Sequence, residues 1–389
     1  MDACINSDTR FVLPNRESRV RRRADASKRA TQHLREEFED RALLLTTPAS
    51  VNWRTGGLSD PIDVTSSSDP VWVIDCNAGS ALITNEIEAP RLEHDFRVSA
   101  LGWDVLTVPW FDDEARLTRA SEYANAAPLA LLSDAAGIGH NVKDILTRAR
   151  LVLSEAERED LRDLGTLTGA ALGAGMDAWR PDITTDFEVA SAISGTLESE
   201  GARAVCLIVG GDDRLRAFRH PLAVGDVVKD ALMAVVVAKR AGMHVAATRL
   251  CTRSADDEIV TLMKSLGSIN DAVLEASLPG GTWGDTMIAL ALAYDDAGYH
   301  DAWREHFQGG PIGFEQREFE LAPTQVDSPF WAVERRAGTA VAWNPSLRGG
   351  AKIEETYFIG ESLELLTATP SWPLVEGPHG SLRSAVKVL

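Results

Sequence analysis

The chain has 389 residues, 44% of them hydrophobic, and a formal net charge of −19 at pH 7. This length accommodates two domains with separate cores, and the hydrophobic fraction is ordinary for a globular protein. Because binding to nucleic acid or to an anionic membrane requires a positive surface, the charge argues against both as partners.

No run reaches the roughly 20 apolar residues that span a bilayer, and the Arg-rich N-terminus lacks the apolar core of a secretory signal. The four cysteines, Cys4, Cys76, Cys206 and Cys251, form no Cys-x-x-Cys pair. We therefore expect a cytoplasmic protein with reduced, buried thiols rather than disulfides or a thiolate metal site.

Residues 1–150 predict a smaller α/β domain. After a loose tail at 1–16, the charged segment 17–39 lacks Gly and Pro, which predicts a surface helix. Apolar runs of strand length then alternate with polar segments of helix length, an order typical of α/β domains. The predicted strands cover 42–46, 71–75, 81–84, 104–108 and 129–133, and a loop is predicted at 48–57.

Residues 151–389 predict a larger domain of the α+β class. The Ser154–Glu157 and Thr185–Glu188 pairs have the spacing of capping boxes, which predicts two helix starts. The second helix is expected to carry Phe187 on its apolar side. Further strands are predicted at 204–209, 232–238, 244–252, 338–343, 353–359 and 363–367, and further helices at 256–276 and 283–297. Two helices, strands, two helices and strands indicate a duplicated arrangement.

The stretch from His306 to Glu318 reads His-Phe-Gln-Gly-Gly-Pro-Ile-Gly-Phe-Glu-Gln-Arg-Glu. It resembles the His-x-x-Gly-His-x-Ile-Gly-x-x-x-His-Glu segment of the M24 aminopeptidase/creatinase family. Five other motifs resemble family motifs and stand in the family's order: Asn52–Gly56, Arg180–Glu188, Arg219–Pro221, Pro279–Asp285 and Ile353–Thr356. The resemblance implies a pita-bread C-terminal domain, a smaller α/β N-terminal domain and a homodimer.

The same resemblance implies that a metal site has been replaced. Metallopeptidases of the family hold two divalent ions with two Asp, one His and two Glu. The corresponding positions here are Val235, Ala246, Gly310, Asn344 and Glu354. Valine, alanine and glycine side chains cannot ligate a metal, and one carboxylate cannot hold a binuclear centre. The sequence therefore predicts no metal and no other cofactor.

Two residues are predicted to be catalytic. His220 corresponds by position to the active-site His of creatinase, a family member that hydrolyses a C–N bond without metal. A neutral imidazole acts as a general base and its conjugate as an acid near physiological pH. Glu354 is predicted to position water or the leaving nitrogen, and burial of its charge requires a cationic partner.

Six further residues are predicted to bind substrate. His306 and Arg317 flank a Gly-Gly-Pro turn and are assigned to a carbonyl or carboxylate, because guanidinium groups bind carboxylates as a fork. Glu318 is expected to orient Arg317, and Asn344 keeps the hydrogen-bonding shape of a lost ligand. By resemblance, Trp53 and Arg54 cover the site of a partner subunit, with an ordinary loop as the alternative.

The leading interpretation is a metal-independent hydrolase that cleaves a C–N bond in a small amino-acid-like or amide substrate. One alternative is an M24 metallopeptidase of the Xaa-Pro dipeptidase or aminopeptidase kind with a non-standard metal site. A second is a ligand-binding homologue without catalysis. A metal-free lyase also remains open, since a His and a carboxylate serve proton abstraction equally well.

Overall fold

The chain divides into two units, Met1–Leu146 and Thr147–Leu389. A computed structural model describes residues 16–58, 70–112 and 114–389, so Cys4 and the predicted N-terminal tail lie outside the described part. Within the described residues, no helix is long and apolar enough to cross a membrane. Cys76, Cys206 and Cys251 are free thiols, and Cys206 is half-buried rather than buried as predicted.

Unit 1 is built on a six-stranded sheet with the strand order β4-β3-β2-β1-β5-β6. Strands β1 and β2 are antiparallel and β1 and β5 are parallel, so the sheet is mixed. The strands are β1 Leu43–Leu45, β2 Trp72–Cys76, β3 Gly79–Asn85, β4 Asp104–Val108, β5 Leu132–Ser133 and β6 His140–Asn141. The helices are α1 Arg16–Glu37, α2 Pro48–Thr55, α3 Ala89–Phe96 and α4 Glu114–Ala124.

Pro48–Thr55 form helix α2, so the loop predicted at 48–57 is wrong over most of its length. Thr47 caps helix α2 by accepting a hydrogen bond from the Ser50 N–H, and Pro48 occupies the first turn. Gly56 ends the helix in the left-handed region at φ 70°. Threonine, proline and glycine at these positions are the signals that begin and end a helix. With both ends defined in this way, a helix of eight residues is stable once α1 packs against it.

Unit 2 contains two four-stranded sheets and the helices that pack on them. Helix α5, Lys143–Leu151, spans the division between the units. The other helices are α6 Glu155–Ala178, α7 Asp186–Ser199, α8 Asp212–Ala217, α9 Glu258–Glu275 and α10 Trp283–Asp296. The strands are β7 Arg203–Gly211, β8 Ala231–Arg240, β9 Met243–Thr252, β10 Gly309–Ile312, β11 Ala340–Trp343, β12 Ser346–Leu347, β13 Ala351–Lys352, β14 Glu355–Ile359, β15 Leu363–Leu365, β16 Leu374–Glu376, β17 Leu382–Ser384 and β18 Lys387–Val388.

The two four-stranded sheets have the orders β18-β9-β8-β7 and β10-β11-β14-β15. They meet where the Thr248 N–H of β9 donates to the Glu354 carbonyl just before β14, at 2.8 Å. Thr356 extends this junction, because its hydroxyl hydrogen-bonds to both the N–H and the carbonyl of Ala246. A core of aromatic and aliphatic side chains lies between β11, β14 and the helices α9 and α10.

Both predicted capping boxes are confirmed. Ser154 with Glu157 begins α6, and Thr185 with Glu188 begins α7. The predicted apolar side of α7 is wrong at Phe187, which is 56% exposed, while Val189 is buried in its place.

Candidate active site

Glu354 is the buried centre of a charged cluster at the junction of the two sheets. Its side chain is 2% exposed and accepts a hydrogen bond from Arg317 Nη2 at 2.7 Å. Lys352 Nζ lies 3.9 Å from its other oxygen, and the Thr248 hydroxyl donates to that oxygen at 3.3 Å. A buried carboxylate needs such partners, because an isolated charge in the interior is costly.

Lys352 is the one member of this cluster that sequence reasoning missed. It stands two residues before Glu354 and is 5% exposed. Burial lowers the pKa of Lys352, and the neighbouring Glu354 opposes that shift. Residues i and i+2 of an extended chain point to the same face, so the spacing from Glu354 was the signal that would have found it.

His220 and His306 form a hydrogen-bonded pair with 3.0 Å between their Nε2 atoms. His306 Nδ1 lies against the Phe307 carbonyl and therefore carries the proton that it donates there. It follows that His306 Nε2 is the acceptor and His220 Nε2–H the donor, which leaves His220 Nδ1 as an available lone pair.

Both imidazoles are neutral at physiological pH. Burial, assisted by the positive charge of Lys352, lowers the pKa of His306 to about 3. Burial and Lys352 also lower the pKa of the more exposed His220, whereas Glu354 raises it. The pair is tied to the Glu354 cluster by its neighbour Arg219, which donates to the Ser346 hydroxyl at 3.2 Å, and Ser346 pairs across the β12–β13 ladder with Lys352.

The two histidines are held by their local surroundings. His220 precedes Pro221, whose carbonyl lies against Gly210 at the end of β7 so closely that a Cβ there would stand 2.6 Å from it. The Gln308 amide donates to the His306 carbonyl at 2.8 Å and to the Trp303 carbonyl at 2.9 Å. Glycine at 210 is therefore a packing requirement of the His220 loop.

Asn344 presents an unpaired acceptor beside these groups. Its N–H donates to the Gln308 carbonyl at 3.0 Å, and the residue is 6% exposed. Its Oδ1 is buried without a hydrogen-bond partner among the described residues. Since an unsatisfied buried acceptor costs free energy, this atom is suited to accept a hydrogen bond from a ligand or water.

Glu318 lies elsewhere in unit 2 and does not orient Arg317. Its carboxylate pairs with Arg150 at 2.6 Å, both side chains being almost fully buried. It also accepts the Phe314 N–H at 2.7 Å. Arg317 is oriented by Glu354 instead, so Glu318 is explained by the packing of the turn that follows β10.

Trp53 and Arg54 are buried inside unit 1, at 3% and 1% exposure. Arg54 forms a bidentate pair with Asp75, at 2.7 and 3.0 Å, and stacks over Trp103. These contacts account for the burial of Arg54 without a ligand. Their predicted role at the site of a partner subunit stays a prediction.

Two of the positions predicted to have lost metal ligands lie on one face of the β8–β9 ladder. Val235 pairs across the β8–β9 ladder with Thr248, and Val237 pairs with Ala246. Cross-strand partners share a face, so Val235 and Ala246 lie on the same face as Thr248, which contacts Glu354. Gly310 is in β10, and Glu354 is already paired with two cations. Across residues 16–58, 70–112 and 114–389, no group of three or more His, Cys, Asp or Glu side chains is arranged to hold a metal ion.

No family model and no curated protein matches this sequence. Among solved structures, the chain is similar to dipeptidase PepE from Mycobacterium ulcerans, with a TM-score of 0.70, 18% identity, and 91% and 97% of the two chains covered. It is also similar to the Xaa-Pro dipeptidase from Bacillus anthracis, with a TM-score of 0.67, 16% identity, and 89% and 98% covered.

A third similar structure is the N-terminal domain of the FACT complex subunit SPT16 from chickpea, Cicer arietinum. Its TM-score is 0.60 at 12% identity, with 91% of this chain and 97% of that chain covered. Dipeptidases and a FACT subunit thus share one fold with this chain, and a shared fold does not fix an activity. The comparisons confirm the predicted α+β fold of the pita-bread type.

Proposed function

We propose that the protein is a hydrolase that cleaves a C–N bond in a small amino-acid-like or amide substrate without a bound metal ion. One observation carries the proposal: a neutral, hydrogen-bonded histidine pair lies within electrostatic reach of a buried carboxylate held by two cations. The fold is shared with dipeptidases, whereas the side chains at the aligned ligand positions do not fit a binuclear metal centre.

In this proposal His220 is the general base. Its Nδ1 takes a proton from water as the water oxygen bonds to the substrate carbonyl carbon, while His306 accepts the His220 Nε2–H and fixes the ring. A neutral imidazole is the reactive form, and the lowered pKa of His220 supplies it at physiological pH. His220 then returns the proton to the leaving nitrogen as the C–N bond breaks.

The cations stabilise the charge that develops on the carbonyl oxygen. Arg317 and Lys352 are fixed beside Glu354, so they need no reorganisation when an oxyanion forms between them. Asn344 Oδ1 accepts a hydrogen bond from the substrate N–H, which aligns the scissile bond. Glu354 holds the two cations in place, and its negative charge offsets part of their positive charge.

The test is turnover of amides and dipeptides by His220→Ala. We expect kcat to fall by about 10²–10⁴-fold, the usual contribution of a general base. His300→Ala is the matched control, because His300 is 78% exposed and pairs with Asp295 at the surface. Unchanged turnover in His220→Ala would refute the assignment.

Metal content separates the proposal from its main alternative. We expect purified protein to turn over substrate equally with and without chelator. Two equivalents of a divalent transition metal per chain, with chelator-sensitive peptidase activity, would favour an M24 metallopeptidase with a non-standard site. Ligand-induced thermal stabilisation without turnover would favour a binding protein.

A further inference from the structure

A cavity of about 300 Å³ opens beside the Glu354 cluster and shares Lys352 with it. Its walls come from helix α8 and the residues after it, from Met233 of β8, and from the hairpin β12–β13. A volume of this size is at the lower end of small-molecule sites, which suits a short side chain rather than a second large group.

The cavity concentrates positive charge in a chain whose net charge is −19. Arg216, Arg219, Arg348 and Lys352 line it, and Glu305 is the one acid among the described lining residues. All four cations also have carboxylate partners: Arg216 pairs with Asp257, Lys352 lies near Glu354, and Arg219 and Arg348 share Glu305. Cations therefore outnumber carboxylates at this wall.

Arg219 and Arg348 are close enough to bind one carboxylate together, as their shared contact with Glu305 shows. Arg348 reaches it with Nη2 at 2.7 Å and Nε at 2.9 Å, and Arg219 Nη2 lies 2.7 Å from the same group. The Arg348 side chain is 82% exposed, so its pair with Glu305 contributes little stability and can exchange for a ligand. Planar guanidinium forks favour a planar carboxylate.

The turn that carries this wall requires glycine at two positions. Gly349 and Gly350 have φ values of +92° and +98°, which L side chains rarely adopt. A Cβ at Gly350 would stand 2.9 Å from Leu215 Cγ on the opposite wall. The turn thus holds Arg348 and Lys352 close to an apolar floor that includes Leu215 and Met233.

We propose that the substrate carries a carboxylate on a short aliphatic side chain and that this cavity binds it. The inference rests on the proposed hydrolase function, since Lys352 links the cavity to the reacting groups. The floor contacts the methylene groups, and Arg219 and Arg348 bind the carboxylate as Glu305 moves aside. The substrate class is therefore an amide or dipeptide of an acidic amino acid.

The test compares glutarate with butyrate by calorimetry on the full chain. The two probes differ chiefly by one carboxylate, so we expect glutarate to bind about tenfold tighter or more, the size of one charge-assisted pair. Arg348→Gln and Arg219→Gln should abolish this preference. Arg336→Gln should retain it, because Arg336 is 70% exposed and pairs with Glu334 outside the cavity.

Two binding results would overturn the inference. Equal affinity for glutarate and butyrate would show that the cavity does not bind the additional carboxylate of glutarate. Inorganic phosphate competing as well as glutarate would assign the cavity to phosphate esters instead. Because Arg348 is largely exposed, Arg348→Gln tests the site even if Arg219→Gln folds poorly.

Turnover separates this inference from the proposed function. Glutamyl amides should have a higher kcat/KM than glutaminyl amides, and Arg348→Gln should raise KM for the former with little change in kcat. Equal kcat/KM for both would refute the cavity assignment while leaving a hydrolase. Tight glutarate binding without turnover of any acidic amide would refute the hydrolase while leaving the ligand class.

Discussion

At the residue scale, two neighbours of opposite charge act on the pKa of His220. Lys352 lowers the pKa of His220 and Glu354 raises it, in addition to the larger lowering by burial. The two neighbours therefore tune the pH range in which the proposed base is unprotonated. Activity should be lost as pH falls through the His220 pKa, which lies below the ordinary value of 6.5.

Two substitutions should move this pKa in opposite directions. Lys352→Met removes a positive neighbour, so the His220 pKa should rise and the acid limb of kcat/KM should move to higher pH. Glu354→Gln removes the negative neighbour, so the His220 pKa should fall. NMR titration of the His220 imidazole measures both shifts without requiring activity, with Arg336→Gln as the control. Shifts of the same sign in both variants would contradict this electrostatic account.

The sequence predicted part of the site at this scale. His220 contacts His306, Arg317 contacts Glu354, and Asn344 and His306 share Gln308 as a partner, while the predicted roles of these residues stay predictions. Glu318 has a different partner, Arg150, because residues 313–319 form an irregular turn after β10, where strand alternation does not apply. Cys206 was unassigned, although Glu354 and Lys352 both influence its pKa. Such proximity depends on strand pairing, which the sequence alone does not specify.

At the element scale, local signals predicted more than long-range ones. The capping boxes and the β7, β8 and β9 strands were identified because their patterns are complete within a few residues. The short strands β10, β12 and β13 were missed, because two to four residues carry no usable periodicity. β10 forms by pairing with the more distant β11, whereas β12 and β13 pair with each other in a short hairpin. These strands position Gly310 and Lys352.

Helix α6 offers a test of close packing at this scale. A Cβ at Gly169 would stand 2.1 Å from the Ala368 carbonyl oxygen, so the helix needs glycine there. Gly195 in α7 has nothing within 4 Å of the same position. Gly169→Ala should therefore destabilise the protein, whereas Gly195→Ala should stabilise it by about 0.5–1 kcal/mol through helix propensity alone.

Urea denaturation of the two variants beside the parent chain measures both effects. Alanine raises helix propensity equally at the two sites. Changes of opposite sign in the free energy of unfolding would therefore show the effect of close packing at Gly169. A stable Gly169→Ala variant would show that α6 can shift away from residues 366–368 at low cost.

At the scale of the whole molecule, buried neutral histidines make stability depend on pH. His244 is 6% exposed, and burial lowers its pKa to about 3. His306 has a pKa of about 3 for the same main reason. In the unfolded chain both have the ordinary value of 6.5, so between pH 6.5 and 3 the unfolded state binds more protons. Unfolding free energy must therefore fall as pH decreases through this window.

Replacing one of these histidines isolates its share of that dependence. In the native protein the neutral His244 imidazole donates its Nδ1–H to the Gly313 carbonyl. The native fold therefore does not depend on a charge at this side chain. His244→Gln keeps a donor and removes the titration. We expect the variant to lose less unfolding free energy than the parent between pH 6.5 and 4.5, measured by urea denaturation at each pH. Carboxylates that also titrate there are common to both proteins and cancel in the difference. Parallel pH profiles for the two proteins would mean that His244 becomes protonated in the folded state, and hence that water reaches the β9 side of the sheet.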